Sequence, residues 1–292
     1  MNARVGLIAG SGQLPLLFAR AMSRPGQTRL TAIVAHEGES DPALADHADR
    51  LLWVKLGQFS RILRYLKQHG VEEVVLVGGI AKARIWRVRP DALALKMVLK
   101  LRGLDDDQLL RGVATELESR GLRLRSVTDF MPELLAPRGC LSRREPNEAE
   151  WRDIRYGWRA AKGLGALDIG QGVVVRRQMV VAAEAMEGTD AMLARAGGLI
   201  VGPGRWGGEH GAVLVKVVKP MQDQRLDLPT IGPKTLENMA QAGIRVAAIE
   251  AGGAMILDPE ATRRMADRHE LVLLGVSAED VVEPEEGRGS GS

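Results

Sequence analysis

The run Met221-Gln222-Asp223-Gln224-Arg225-Leu226-Asp227-Leu228-Pro229-Thr230-Ile231-Gly232 carries two carboxylates and a guanidinium at alternate positions. In an extended chain side chains alternate with a period of two, so Asp223, Arg225 and Asp227 are expected on one face. Two carboxylates flanking a guanidinium can hold a divalent cation and a phosphate oxygen together. Mg²⁺ suits the pattern, because it takes one or two carboxylates and completes its shell with phosphate oxygens and water. An ion-paired edge strand without catalysis fits the same residues.

A lysine interrupts Val213-Leu214-Val215-Lys216-Val217-Val218-Lys219-Pro220. Lysine is seldom buried without a partner. Lys216 therefore needs an anion, either a protein carboxylate or a ligand phosphate. Upstream, Glu184-Ala185-Met186-Glu187-Gly188-Thr189-Asp190 concentrates negative charge where a helix begins. Thr189 suits the N-cap, whose free N–H groups form an anion seat. Capping accounts for Asp190 and Glu187 but not for Glu184, which ends an apolar strand. A third candidate, Gly10-Ser11-Gly12-Gln13-Leu14-Pro15, lies between a strand and a helix, where backbone N–H groups can face a phosphate. It resembles a dinucleotide loop except that Pro15 stands where the third glycine normally permits close helix–strand packing. Gly78-Gly79 follows a later strand and obeys the same rule of ligand binding beyond strand carboxyl ends, and Glu37 is placed to meet a ribose hydroxyl.

These residues need elements to hold them. Apolar runs at Arg4–Ala9, Leu30–Ala35, Leu51–Lys55 and Val74–Val77 alternate with helical spacing at Leu14–Ser23 and Phe59–His69. That alternation predicts a parallel sheet covered on both faces. Helical spacing continues at Asp91–Leu101 and Asp107–Ser119. Asp105-Asp106-Asp107 reads as helix capping in preference to a metal site. Pro132–Pro146 reads as a linker and Glu148–Leu164 as a long helix. A hairpin over Val173–Ala183 turns near Arg176-Arg177-Gln178. Further strands are expected at Leu199–Val201, Ala212–Val218, Val246–Glu250, Met255–Leu257 and Leu271–Leu274, with helices at Thr189–Arg195, Pro233–Ala242 and Pro259–Arg268. The fold class is α/β: a Rossmann-like parallel-sheet domain over 1–132, a linker over 133–147, a mixed α/β domain over 148–280, and a disordered tail over 281–292.

Composition narrows the function. The chain has 292 residues, 45% apolar and 3% aromatic, with a formal net charge of +3. A small net charge and few aromatics argue against nucleic acid as a partner. One cysteine, Cys140, excludes an internal disulfide framework and fits a reducing compartment. The opening residues read as a strand and not a leader, and no apolar run is long enough to span a bilayer. A soluble cytoplasmic protein is expected, peripheral to the membrane at most. The basic stretch Lys82, Arg84, Arg87, Arg89, Lys96, Lys100 and Arg102, interleaved with Ile85, Trp86 and leucines, fits an anionic membrane surface or a solvated helix face. His36, His47, His69, His210 and His269 lack metal-ligand spacing and read as incidental or structural.

Taken together, Asp168-Ile169-Gly170-Gln171, the Glu184–Asp190 segment, and Lys216 through Lys219-Pro220 to Asp223, Arg225, Asp227 and Thr230-Ile231-Gly232 resemble one family. It is the UDP-2,3-diacylglucosamine pyrophosphatase family of lipid A biosynthesis, in its alphaproteobacterial form and not the calcineurin-like one. The opening Gly-Leu-Ile-Ala-Gly-Ser-Gly-Gln-Leu-Pro matches too, so the likeness covers about residue 4 to Gly275. The resemblance implies a Gram-negative, Mg²⁺-dependent hydrolase in which water attacks the α-phosphorus, yielding UMP and 2,3-diacylglucosamine 1-phosphate (lipid X). It implies a decisive aspartate at Asp227 and a two-domain molecule that holds lipid product between its halves. Trp206–His210 departs from the family pattern.

On this reading Asp223 and Asp227 hold the metal, while Arg225 and Lys216 offset charge. The substrate, a lipid-linked UDP-sugar met at the inner-membrane surface, contacts Gly10, Ser11, Gly12, Gln13, Gly78, Gly79, Gln171, Glu187, Gly188, Thr189, Asp190, Lys219 and Thr230. A homodimer is the assembly expected, without a residue to carry it. The rivals are an NAD(P)-dependent oxidoreductase and a non-catalytic nucleotide- or lipid-binding protein.

Overall fold

A computed structural model describes residues 3–26, 30–79, 90–100, 106–200 and 211–282. The chain forms two compact units, one of Met1–Pro132 with Asp223–Asp227, the other of Glu133–Gln222 with Leu228–Ser292.

In the first unit, β1 (Val5–Ala9), β2 (Leu30–His36), β3 (Leu51–Val54), β4 (Glu73–Val77) and β5 (Arg123–Arg125) lie in the order β3-β2-β1-β4-β5. Every neighbouring pair is parallel. β1 is buried along its whole length, the unbroken apolar run that a strand covered on both faces requires. The helices Leu14–Met22 and Phe59–Gln68 follow β1 and β3, and Ala92–Lys100 and Asp106–Ser119 follow β4. The doubly covered parallel sheet matches the Rossmann-like expectation.

β5 was not foreseen. Its sequence, Arg-Leu-Arg, buries only Leu124. Its arginines instead reach the buried Glu73 on β4, Arg125 at 3.1 Å and Arg123 at 3.3 Å, so cross-strand ion pairing anchors an edge that apolar content cannot.

In the second unit, β6 (Gly139–Cys140), β7 (Gly172–Arg176), β8 (Met179–Ala183), β9 (Ala212–Lys216), β11 (Ile244–Glu250) and β13 (Val272–Val276) form a mixed sheet in the order β6-β13-β11-β9-β7-β8. β9, β11 and β13 are parallel, whereas β6, β7 and β8 pair antiparallel with their neighbours. Glu148–Ala166 covers one face, packing Ile154, Trp158 and Ala161 on valines of β7 and β9. Helices Gly188–Ile200, Pro233–Gln241 and Pro259–Arg268 contribute to the core on the other face. A short parallel pair joins β10 (Thr230–Ile231) and β12 (Met255–Ile256).

Three expectations are corrected. The 133–147 stretch is not a plain linker: Gly139–Cys140 pairs with Leu274 and Gly275 as an edge strand. Leu199 is not in a strand, because the helix that begins at Gly188 runs to Ile200. Asp223–Asp227 is not extended, since the Leu226 and Asp227 N–H groups both donate to the Asp223 carbonyl and close a turn. Lys82, Ile85, Trp86, Arg84, Arg87, Arg89, Arg102, Asp105, the Trp206–His210 departure and the tail from residue 283 lie outside the described residues. So do the side chains of Lys100, Asp106 and Asp107.

Candidate active site

Lys216 is the last residue of β9, and parallel strands gather ligand-binding groups beyond their carboxyl ends. It is 3% exposed. Its Nζ donates to Thr189 Oγ1 at 2.7 Å and approaches the Thr230 carbonyl at 3.4 Å. The Thr189 hydroxyl donates in turn to Glu184 Oε1 at 2.6 Å, leaving Nζ 4.0 Å from that oxygen. Of the two anions open to Lys216, this structure supplies the protein carboxylate, relayed through a hydroxyl.

Glu184 is itself 7% exposed, and its Oε2 is buried without a hydrogen-bond partner among the described residues. Two glycines make its place. A Cβ at Gly170 would stand 2.1 Å from the Glu184 carbonyl, and one at Gly172 would stand 2.7 Å from Oε2. Gly172 pairs with Lys216 across β7 and β9, so sheet register brings carboxylate and ammonium to one level. The Gln171 carbonyl accepts from Val217 N–H, while its side-chain Oε1 is buried without a partner among the described residues.

Thr189 is therefore not an N-cap. It lies inside the helix Gly188–Ile200, and its hydroxyl serves Glu184. Gly188 opens that helix at φ +79°, a left-handed conformation that suits glycine. Glu187 accepts from Arg195 at 2.5 Å, and Asp190 accepts from Asn238 at 2.9 Å. The backbone N–H of Glu187, then the Arg195 guanidinium, hold its carboxyl below the usual range. Lys219 bonds Asp168 at 2.7 Å. Thr230 donates its hydroxyl to the Leu228 carbonyl.

Asp223, Arg225 and Asp227 belong to the first unit. Asp223 Oδ1 accepts from the Arg225 N–H and Nε–H, both at 3.0 Å, and Oδ2 accepts from Nη2 at 2.7 Å. Arg225 Nη1 reaches Glu118 at 2.6 Å. Hydrogen bonds from Arg225 hold the Asp223 carboxyl below the ordinary range, against the opposing effect of burial, and Arg225 is raised by Asp223 and then Glu118. Asp227 ends the turn with an exposed side chain. A carboxylate offers about four acceptor positions, and Asp223 uses three on Arg225. As metal ligands the pair fits a cation that draws most of its shell from phosphate and water, as Mg²⁺ does. A closed protein cage is not built here: among the described residues no three His, Cys, Asp or Glu side chains group for a metal.

The two glycine loops of the first unit meet. Ser11 N–H donates to the Gly79 carbonyl at 2.7 Å, Gly79 N–H returns to Ser11 at 3.2 Å, and the Ser11 hydroxyl adds a third bond. Gly10 N–H is taken by Val77. A Cβ at Gly10 would stand 2.4 Å from the Gly79 carbonyl oxygen, and one at Gly78 would stand 2.8 Å from Pro15 Cγ. The glycines thus join the ends of β1 and β4, and Pro15 fills the space beside Gly78. The Gly10 and Ser11 N–H groups of the phosphate-loop candidate are spent on this junction, as is that of Gly79, which weakens the case for the oxidoreductase rival; Gln13 is the N-cap of the following helix. Nearby, the His36 Nδ1–H and the Ser40 hydroxyl both donate to the Ala9 carbonyl.

Lys216, Thr189 and Thr230, expected in the site with different roles, are joined here by hydrogen bonds together with Glu184, which the sequence-based expectation left out although a glutamate ending an apolar strand was the available signal. Glu118 gave no signal, being one more acid on a helix surface.

Comparison with known proteins extends these observations. Family models described as "LpxI N-terminal domain" and "LpxI C-terminal domain" match residues 4–134 and 137–274. The "UDP-2,3-diacylglucosamine pyrophosphatase LpxI" of Caulobacter vibrioides is 36% identical over 282 residues, covering 95% of this chain and 99% of that protein. Among solved structures, an L-threonine dehydrogenase from Phytophthora infestans gives a TM-score of 0.27 at 14% identity, over 47% of this chain and 39% of that one. That likeness carries no argument.

Proposed function

The chain belongs to the LpxI family, and on that footing we propose that it hydrolyses the diphosphate of UDP-2,3-diacylglucosamine for lipid A synthesis. It is a hydrolase of the pyrophosphatase class. The observation that carries the substrate assignment is 36% identity over nearly the whole length of a named pyrophosphatase. Water attacks the α-phosphorus, and UMP and 2,3-diacylglucosamine 1-phosphate leave.

Phosphoanhydride cleavage needs positioning, charge neutralisation and an activated water. Asp227, with the remaining lone pair of Asp223, would hold Mg²⁺, which when bound would supply charge neutralisation on the diphosphate. Asp227 orients the attacking water and accepts its proton. Arg225 stays cationic, fixed by Asp223 and Glu118, and faces developing negative charge. Lys216 acts as a positioning residue, tying Thr189 to the Thr230 carbonyl three residues beyond Asp227. The lipid-linked substrate makes the cytoplasmic surface of the inner membrane the working place. No helix among the described residues is long and apolar enough to cross a membrane.

The test is UMP release with Mg²⁺. Asp227→Ala should lower kcat by orders of magnitude while circular dichroism stays unchanged, and near-normal turnover removes Asp227 from the mechanism. In ¹⁸O-water the label should enter UMP alone. Label in the lipid phosphate refutes attack at the α-phosphorus, and no UMP at all returns the chain to the non-catalytic binding class.

A further inference from the structure

The helix Ala92–Lys100 packs Leu93, Ala94 and Met97 against the core of the first unit. The opposite stripe of such a helix is ordinarily polar. Here it carries Leu95 at 47% exposure and Leu99 at 76%, one turn apart, with exposed Lys96 beside Leu95. Between this helix and Phe59–Gln68 runs an open groove of about 500 Å³, with Leu63 and Leu93 in its lining and Arg64, Lys67, Lys96 and Arg120 around them. Arg120 pairs with Glu116. Arg64, Lys67 and Lys96 have no acidic partner among the described residues.

Single exposed leucines are ordinary. Two on one stripe, beside three unbalanced cations and an apolar-lined groove, form the pattern of an interfacial helix. A soluble anion would use the cations and leave the leucines unexplained. An anionic bilayer uses both, because acyl chains accept the leucines while headgroup phosphates lie at the level of the cations.

We propose that this face docks the protein on an anionic membrane surface, with Leu95 and Leu99 entering the headgroup boundary and Arg64, Lys67 and Lys96 on lipid phosphates. The proposal draws its purpose from the reading of a lipid-linked substrate, but its evidence is independent of that reading.

Sedimentation with vesicles tests it, using phosphatidylcholine alone or mixed with phosphatidylglycerol. The full chain should bind the mixed vesicles, release as salt rises, and bind pure phosphatidylcholine poorly. Lys67→Glu with Lys96→Glu should weaken binding to mixed vesicles roughly tenfold or more, as should Leu95→Glu with Leu99→Glu. Both double variants should keep wild-type melting and wild-type UMP release from detergent-dispersed substrate. Absence of binding to mixed vesicles, or wild-type binding by both folded variants, overturns the docking face. Vesicle binding without UMP release instead sinks the enzymatic reading and leaves the docking face standing.

Discussion

A buried carboxylate and a buried ammonium that meet through one hydroxyl are held as a set, and removing one member strands the other. Lys216→Met leaves the buried Glu184 carboxyl among Gly170, Gly172 and the end of β8, with an oxygen that already lacks a partner among the described residues. Breaking a buried pair from one side costs roughly 3–5 kcal/mol, whereas replacing both partners by apolar groups is close to neutral. Denaturant unfolding should therefore show a large loss in Lys216→Met and substantial recovery in Glu184→Leu with Lys216→Met. A mild single variant would mean that Thr189 alone satisfies the carboxylate. The Asp223–Arg225 pair has a different signature, in pH. The folded carboxyl sits below its unfolded value, mainly through Arg225, so its contribution is complete above the unfolded pKa. That contribution fades as pH falls through the lower folded value. Comparing wild type with Arg225→Gln in acid unfolding should show a stability difference that shrinks only in strongly acidic solution. A difference constant down to the lowest pH measured would contradict the pair.

Elements impose their own requirements, and the two glycine loops of the first unit are the clearest case. Gly10→Ala drives a Cβ into the Gly79 carbonyl, a backbone atom that cannot move cheaply, so overpacking should cost roughly 1–3 kcal/mol. Gly12→Ala meets nothing within 4 Å and suffers only from its φ of +94°, about 1–2 kcal/mol. Unfolding midpoints should rank Gly10→Ala below or level with Gly12→Ala, and the reverse order would mean that the junction is loose. Elements were legible in sequence where apolar periodicity was uninterrupted, as in β1, β2, β4 and β9. They were illegible where a distant contact chose the residue. A helix over Thr189–Arg195 and a strand from Leu199 are the expectation, yet the helix continues through Gly197 and Gly198 to Ile200, and a Cβ at Gly197 would stand 2.9 Å from Ala242 Cα, so that glycine serves close packing. Arg123 and Arg125 hid β5 because their partner, Glu73, lies fifty residues earlier. Thr189 looked like a cap because its contact with Glu184 depends on the register of β7, β8 and β9. Alternating charge at 223–227 suits an edge strand and a turn equally, and only the hydrogen bonds to the Asp223 carbonyl decide.

At the scale of the molecule, the catalytic candidates sit where chain order would not put them. Asp223–Asp227 lies between β9 and β10 of the second unit in sequence, yet belongs to the first. Leu226 packs, half-buried, on the cluster that contains Leu117, Leu122 and Leu124, and Arg225 reaches Glu118. The first unit is therefore discontinuous, and a segment of the second half completes it. The exposed Arg225–Glu118 pair contributes little by itself, at most about 1 kcal/mol, so the leucine should be the stronger anchor. Leu226→Ala in the full chain should destabilise by less than the roughly 2–5 kcal/mol of a fully buried leucine, and the loss should be confined to one unit. Native-state hydrogen exchange separates the units directly. Amides of β1 and β4 should exchange faster in the variant, and those of β11 and β13 should keep wild-type protection. The same variant should also lose turnover, because the turn carrying Asp227 depends on that seat. Equal loosening of both sheets, or loosening of β11 and β13 alone, would assign the segment to the second unit and detach Asp227 from the framework of the first.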